Sequence, residues 1–246
     1  MIRSSILFLL AFAALAQNTA TYDSRLRVST IVREDLFAGF MVNDMVRFER
    51  GEKTLDELLV QRPQNGDEVL AWKGGAALYR AVLAHEKGNA ADFERHYTNA
   101  LALFKEAEAA QSSPGSVARQ AITGGTLVIF GDRLPEKYRT AAWTTAYDMY
   151  GQLWKAQEAY VTRLPVHARG ELVAGLVLSS QRLGKAGESA EHLDRMLTML
   201  QGTPYEAGAR KWKENPEAAT KVRITCVNCH DGGRLEATRA ALDKKP

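Results

Sequence analysis

Three side chains near the end of the chain could hold a cofactor together. Cys226 and Cys229 are the two cysteines of the 246 residues, and His230 directly follows the second one. Two thiols three positions apart can react side by side, and an adjacent imidazole offers a nitrogen ligand to a metal. Covalent attachment of a cofactor, metal binding and thiol redox chemistry are the reactions that this arrangement favours.

The order of these three residues favours one of these reactions over the others. Cys226, Cys229 and His230 form a C-x-x-C-H motif, the attachment motif for c-type haem. A structural zinc site would need a fourth ligand from elsewhere in the chain, and a thioredoxin-like redox pair would need a βαβ setting. A disulfide between the two cysteines would close only a very small loop. These three alternatives stay open, and covalent haem is the interpretation that uses all three residues.

The first residues have the pattern of a secretory signal peptide. Arg3 precedes an apolar run at positions 6–16, which ends in the small-x-small sequence Ala14-Leu15-Ala16. As a helix this run covers about 17 Å, whereas a bilayer core needs about 30 Å. We therefore predict a signal peptide over 1–16, cleavage after Ala16, and a periplasmic or otherwise exported protein without a membrane span. Retention of the segment as an anchor is the alternative. Export supports the haem interpretation, because bacteria attach c-type haem after export.

The composition is that of a folded globular protein. Of the residues, 46% are hydrophobic and 25% are charged, and the formal net charge is +3. This nearly balanced charge gives no indication of a nucleic-acid partner.

The apolar residues between these two ends recur at helical spacing, and glycine- and proline-containing turns separate the periodic stretches. The prediction is an all-α fold. The expected helices cover 28–49, 54–61, 67–87, 91–110, 116–130, 136–163, 166–183 and 187–200. Paired glycines at 74–75 and 124–125 fall inside helical stretches, where they predict close packing of helix backbones.

Two helix pairs resemble each other around their turns. The segment that starts at Gly88 and continues through His96 lines up with the segment that starts at Gly184 and continues through His192. This pattern resembles tetratricopeptide repeats, most closely from Leu183 to Tyr205. The resemblance implies stacked antiparallel helix pairs, arranged as a solenoid or a bundle. The expected organisation is the signal peptide, a helical domain over 17–215 and a haem-attachment segment over 216–246.

The motif also resembles that of c-type cytochromes. The resemblance implies one haem c, joined by thioether bonds to Cys226 and Cys229, with His230 as an axial iron ligand. Its position near the C-terminus is similar to that in cytochromes c′, in which the sixth iron position is open.

A distal ligand would have to come from upstream of the motif, because 231–246 contains no Met and no His. His192, Met196 and Met199 share one helical face at i, i+4 and i+7, which makes them the first candidates. An open sixth position is the alternative. The further candidates are Met41, Met45, Met149, His85, His96 and His167.

Side chains just before and after the motif could also contact the haem. Tyr205 and Trp212 could line its pocket, and nearby basic side chains could pair with its propionates. The other interpretation of this stretch is an amphipathic helix with a solvated basic face. Beyond the motif, the spacing of Leu235, Thr238 and Leu242 predicts a two-turn helix over one haem edge.

The leading functional hypothesis is a periplasmic electron carrier with a redox partner protein, which could dock on the helical surface. The alternative is an interaction scaffold of the tetratricopeptide-repeat type with a structural haem, or a gas-sensing haem whose sixth site is open. Catalysis is not expected, since the sequence contains no G-x-S-x-G, H-E-x-x-H or Walker-type motif.

Overall fold

A computed structural model describes residues 26–215, and this part of the chain contains nine α-helices and no strand. The predicted all-α class is confirmed. The helices are α1 (Val28–Val42), α2 (Met45–Gln61), α3 (Gly66–Glu86), α4 (Ala90–Ala109), α5 (Ala118–Phe130), α6 (Glu136–Gln157), α7 (Val166–Arg182), α8 (Ala186–Met199) and α9 (Pro204–Glu214). Short 3₁₀ segments cover Pro63–Asn65, Gly131–Arg133 and Glu158–Arg163.

Consecutive helices pack as pairs, α1 with α2, α3 with α4, α5 with α6 and α7 with α8, while α9 packs on α8. Short turns join the two helices of each pair, so the partners run antiparallel. The first helices of the four pairs, α1, α3, α5 and α7, lie next to one another in that order. Each pair therefore buries its apolar side against its neighbours, which confirms the predicted stacking of helix pairs.

The two turns that look alike in sequence also have the same backbone geometry. Gly88 joins α3 to α4 at φ +72°, and Gly184 joins α7 to α8 at φ +71°. Glycine occupies this left-handed region without the steric cost that a Cβ imposes. The two turns differ one residue later, because the Asn89 side chain accepts a hydrogen bond from the backbone N–H of Asp92, whereas Lys185 makes no side-chain cap.

The sequence prediction of one helix over 28–49, followed by a short one over 54–61, is wrong. The chain reverses at Asn43, which adopts a left-handed conformation with φ 56°, and Asp44 then caps α2 by accepting a hydrogen bond from Arg47 N at 3.2 Å. Phe48 lies so close to Gly39 that a Cβ there would be 2.7 Å from it. The break lets α2 fold back onto α1. The helix predicted over 136–163 also ends early, at Gln157, where 3₁₀ geometry begins.

Glycines inside the helices admit large neighbours, as the sequence predicted. A Cβ on Gly74 would lie 2.5 Å from the Phe104 ring, and one on Gly75 would lie 2.6 Å from Thr126. Gly124 is also tight against Tyr150, at 3.1 Å, whereas Gly125 has only the Tyr150 hydroxyl within 4 Å, at 3.8 Å. The first three glycines set the spacing of α3, α4, α5 and α6.

Aromatic side chains tie the first helices of three pairs together. Phe40 of α1 lies edge-on to Phe130 of α5, with 5.0 Å between ring centroids, and 5.3 Å from the ring of Tyr79 of α3. The buried Tyr79 hydroxyl donates a hydrogen bond to the carbonyl oxygen of Gly39 at 2.6 Å. Such aromatic pairs contribute about 0.5–1.5 kcal/mol each beyond their buried area. They hold α1, α3 and α5 as one platform.

Candidate functional site

The three motif residues Cys226, Cys229 and His230 lie outside the described residues, as do the predicted signal peptide and the predicted helix around Leu235. The described chain ends at Asn215, directly after α9, and Cys226 follows 11 residues later. With ten residues between them, the Cα atoms of Asn215 and Cys226 can lie at most about 40 Å apart. Any surface that receives a group attached at Cys226 must lie within that distance of the end of α9.

The first distal-ligand candidates are all on α8, and the structure places them against the interior. Met196 has 0% exposure and belongs to the hydrophobic core, while Met199 is partly buried against that core. His192 is 9% exposed and borders a cavity. The structure therefore brings the three side chains to one side of α8. For its thioether to reach a planar cofactor, Met196 would have to leave the core.

The cavity beside His192, here called the outer groove, lies between α6 and α8 and has a volume of about 540 Å³. Charged side chains of both signs line it, together with aromatic and aliphatic side chains. Its lining residues are Tyr147, Asp148, Gly151, Gln152, Trp154, Lys155, Leu176, Glu188, Glu191, His192 and Arg195.

The hydrogen bond of His192 determines what its ring can do. Nδ1 lies 3.2 Å from Nη1 of Arg195, whose guanidinium also lies 5.0 Å from the centroid of the Trp154 ring. A guanidinium only donates, so Nδ1 accepts and the ring proton is on Nε2. Burial, followed by the positive charge of Arg195, lowers the pKa of His192 and so favours the neutral ring. In this tautomer Nε2 carries a hydrogen and presents no lone pair to a metal.

A second cavity, here called the inner groove, lies where α1, α3, α5 and α7 come together and has a volume of about 310 Å³. Apolar side chains form most of its wall, and three side chains that carry or can carry a charge near neutral pH, Arg33, His167 and Glu171, border it. The lining residues are Ser29, Arg33, Phe37, Trp72, Val117, Ala118, Ala121, Ile122, Gly125, Thr126, Ile129, Tyr150, Leu153, Gln157, His167, Ala168, Glu171 and Leu172.

A hydrogen-bond chain orients His167 at this groove. The Tyr205 hydroxyl of α9 donates to Oε1 of Glu171 at 2.8 Å. The hydroxyl oxygen of Tyr205 also lies 3.2 Å from Nδ1 of His167. The hydroxyl has one hydrogen, which goes to the carboxylate, so the oxygen accepts from Nδ1–H of His167. Nδ1 of His167 therefore acts as a hydrogen-bond donor, which orients its ring against α9.

Packing against a glycine makes this chain possible. A Cβ on Gly170 would lie 2.3 Å from Cε2 of Tyr205, so only a residue without a side chain leaves room for the ring. Tyr205 is buried, whereas His167 in the first turn of α7 is exposed. The glycine thus sets the position of the hydroxyl that orients the imidazole.

The polar groups at the other end of the inner groove are paired. Nε1 of Trp72 donates to Oγ of Ser29 at 3.2 Å, and that hydroxyl donates to Oε1 of Glu68 at 2.6 Å. The Trp72 ring, 5% exposed, is therefore held as an apolar wall with its polar atom satisfied.

The remaining distal candidates have other surroundings. Met41 and Met45 pack against the core, and Sδ of the buried Met149 lies 3.8 Å from Nη1 of Arg119. His85 is exposed beside the Phe93 ring, and burial is the main cause of a lowered pKa at His96.

Sequence reasoning named Tyr205 as a residue that could line a haem pocket and His167 as one of the further ligand candidates, but it did not connect them. One local signal was present, since His167 and Glu171 are four residues apart on one helical face. Tyr205 is 38 positions from His167, and only the packing of α9 brings its hydroxyl to the pair.

Within residues 26–215, no three His, Cys, Asp or Glu side chains are gathered closely enough to hold a metal ion. The same part of the chain contains no helix with the length and apolar character that crossing a membrane requires. The fold and the grooves define an all-α protein of stacked helix pairs. No protein-family model, curated protein or solved structure matches the chain.

Proposed function

We propose that this protein is an exported c-type cytochrome that carries one covalent haem and transfers electrons to or from a redox partner in the periplasm. The observation that carries the proposal is the C-x-x-C-H motif of Cys226, Cys229 and His230. The signal-peptide pattern at 1–16 supports it independently, because it would take the chain to the compartment where bacteria attach such haem.

Each motif residue has a defined task in this proposal. The thiols of Cys226 and Cys229 each add to one vinyl group, so that an S–H bond breaks, an S–C bond forms and the hydrogen passes to the neighbouring vinyl carbon. His230 provides an axial nitrogen ligand. Haem, when bound, supplies an iron that gains and loses one electron at a time.

The helical body fits this task as a support. Its inner groove has apolar walls suited to the face of a porphyrin, and the guanidinium of Arg33 at its border suits a carboxylate. A histidine, His167, also borders the groove. The remaining outer surface of the stacked pairs is available to a partner protein.

Covalent haem is tested by expressing the full chain with a cytochrome c maturation system and staining a denaturing gel for haem. We expect a stained band whose intact mass exceeds that of the processed polypeptide by one haem. Cys226→Ser and Cys229→Ser should each remove one of the two thioether bonds, and the double variant should abolish the stain. Ser179→Ala, a change far from the motif in sequence, is the matched control. An unstained wild-type band would refute the proposal.

Electron transfer is tested on the same matured protein by spectroelectrochemistry. We expect a reversible one-electron couple with no loss of protein over repeated cycles. Stained protein whose haem cannot be cycled reversibly would leave a structural haem as the explanation.

A further inference from the structure

A third cavity, here called the middle cleft, lies between α4 and α6 over α5 and has a volume of about 300 Å³, the lower end of the range for small-molecule sites. Its lining residues include Tyr97 and Glu108 of α4, Arg119 and Leu127 of α5, and Ala141 and Met149 of α6. We propose that the middle cleft binds a small amphipathic carboxylate, with Arg119 and Lys105 at the carboxylate and apolar side chains around the hydrocarbon part. The site is separate from the C-x-x-C-H motif, so this inference does not depend on the proposed haem.

Apolar side chains form the wall of the middle cleft. The buried Phe104, Leu127 and Met149 line it from α4, α5 and α6. At one end the ring of Tyr97 meets the Tyr138 ring of α6, with 4.6 Å between ring centroids, so the two outer helices come together there. A hydrocarbon group that enters the cleft therefore exchanges water for apolar contacts on three helices, which favours its binding.

Positive charge lies toward the opposite end, about 16 Å from Tyr97 along the axis of α4. The Arg119 side chain, in the first turn of α5, is 17% exposed, and Lys105 lines the cleft from α4. Glu108, the acidic side chain among the described lining residues, lies 3.5 Å from Nη1 of Arg119 but is 58% exposed. Two cations and one anion leave a net positive charge at this end, which attracts an anionic ligand.

The hydrogen bonds of Arg119 leave room for a stronger acceptor. Its Nη1 donates to Sδ of Met149 at 3.8 Å, and a thioether sulfur is a weak acceptor. Its Nη2 can donate to the side-chain oxygen of the adjacent Gln120 at 3.3 Å. A guanidinium has five N–H donors, and a carboxylate accepts two of them in a bidentate, charge-assisted pair. A ligand carboxylate therefore satisfies Arg119 better than the sulfur does.

Thr123 adds a polar group one turn along α5 from Arg119. Thr123 lines the cleft and is 3% exposed, and its hydroxyl has no hydrogen-bond partner within residues 26–215. The hydroxyl of Thr126, by contrast, donates to the carbonyl oxygen of Ile122 at 2.9 Å. An unpaired buried hydroxyl costs free energy, and a ligand oxygen that pairs with it recovers that cost.

The first test titrates the full chain with octanoate and measures the affinity by calorimetry. The NMR signal of the Met149 methyl group reports where the ligand is. We expect saturable binding, a shift of that signal, and weaker binding of both 1-octanol, which lacks the charge, and acetate, which lacks the chain. Absence of octanoate binding, equal binding of 1-octanol, or an unmoved Met149 signal would overturn the proposal.

A pair of charge variants tests the role of the guanidinium. Arg119→Gln should weaken octanoate binding by about tenfold, because a charge-assisted pair with the carboxylate is lost. Arg195→Gln removes one positive charge from the outer groove instead and should bind octanoate as the wild type does. Equal losses in the two variants would mean that only the overall charge of the protein matters and that Arg119 does not hold the carboxylate.

A pair of threonine variants separates a binding role from a structural one. Thr123→Val should weaken octanoate binding by about fivefold, yet its thermal midpoint should not fall, because the hydroxyl has no partner in the free protein. Thr126→Val, which removes a hydroxyl that is already paired, should leave binding unchanged. Wild-type affinity in Thr123→Val would remove Thr123 from the site.

A third pair tests the location by filling the cleft. Ala141→Leu places a larger side chain at an exposed position of α6 that lines the cleft, and it should abolish octanoate binding. Ala156→Leu, at an exposed position of the same helix outside the cleft, is the matched control. Circular dichroism should show the same helix content in both variants. Undiminished binding in Ala141→Leu would exclude the middle cleft as the site.

Discussion

Two histidines on the α7/α8 pair show how one side chain type becomes suited to different tasks. His167 at the inner groove and His192 at the outer groove each have Nδ1 at 3.2 Å from a polar neighbour. The Tyr205 hydroxyl accepts a hydrogen bond from Nδ1–H of His167, whereas the Arg195 guanidinium donates a hydrogen bond to Nδ1 of His192. The Nδ1 atoms of the two rings therefore have opposite hydrogen-bonding roles.

The walls of the two grooves also differ, in the kind of side chain that lines them. Apolar side chains dominate the inner groove, whereas charges of both signs surround the outer groove. An apolar cleft excludes water from a bound cofactor and accommodates a porphyrin face, while a charged cleft stays hydrated. The comparison teaches that the wall of a groove and the hydrogen-bond partner of its histidine are both set by the packing of neighbouring helices.

The largest expected change in the free energy of unfolding comes from a substitution on α8, the helix that carries His192. Met196→Ala should lower the free energy of unfolding by about 2–5 kcal/mol, because a fully buried side chain leaves a cavity. Met199→Ala is the control and should cost less, since Met199 is only partly buried. Urea unfolding monitored by circular dichroism measures both. If Met196→Ala were as stable as the wild type, Met196 would have no role in the core.

The next largest change in the free energy of unfolding is expected at Gly170 on α7, a helix that borders the inner groove. Gly170→Ala should lower the free energy of unfolding by about 1–3 kcal/mol, because the new Cβ would meet the Tyr205 ring at 2.3 Å. Gly187→Ala in α8 is the control: it has nothing within 4 Å of its Cβ and should gain up to about 1 kcal/mol from helix propensity. Equal unfolding midpoints for the two variants would contradict the packing of α9 on α7.

The pH dependence of stability tests the environment of His192. Its pKa is lowered from 6.5, chiefly by burial, so the unfolded chain takes up the proton first as the pH falls through about 6.5. Its contribution to stability is therefore present above that pH and decreases below it, until the folded form is protonated as well. His192→Gln should show a shallower decrease of the thermal midpoint between pH 7 and pH 5 than the wild type.

His96, whose pKa burial also lowers, contributes in the same direction. A pH dependence of His192→Gln that is identical to that of the wild type would mean that His192 has no perturbed pKa in the folded protein. The double variant with His96→Gln should be shallower still.

The smallest effect concerns the partner of His192. Arg195→Gln should raise the pKa of His192 toward its ordinary value but not fully, because burial, the larger cause of the shift, remains. Loss of the contact between the Arg195 guanidinium and the Trp154 ring should lower the free energy of unfolding by about 0.5–1 kcal/mol. NMR titration of the His192 ring follows the pKa, and an unchanged value would exclude Arg195 as a cause.

Much of the fold could be predicted because its signals are local. Helical periodicity and the turns at Gly88 and Gly184 involve residues a few positions apart, and the structure contains both. The break at Asn43 was missed, although Asn followed by Asp is a sequence that can end one helix and cap the next. The apolar spacing on both sides of the break continued across it and outweighed that signal.

The sequence by itself determined the all-α class, the pairing of helices and the C-x-x-C-H motif, because each depends on spacing within one turn or one helix pair. Tertiary structure alone decided that Met196 belongs to the core, that two grooves of different polarity exist, and which nitrogen of each histidine carries the proton. The physical reason is that burial and hydrogen-bond partners come from other helices. Tyr205 reaches His167 across 38 positions, and no local pattern contains that contact.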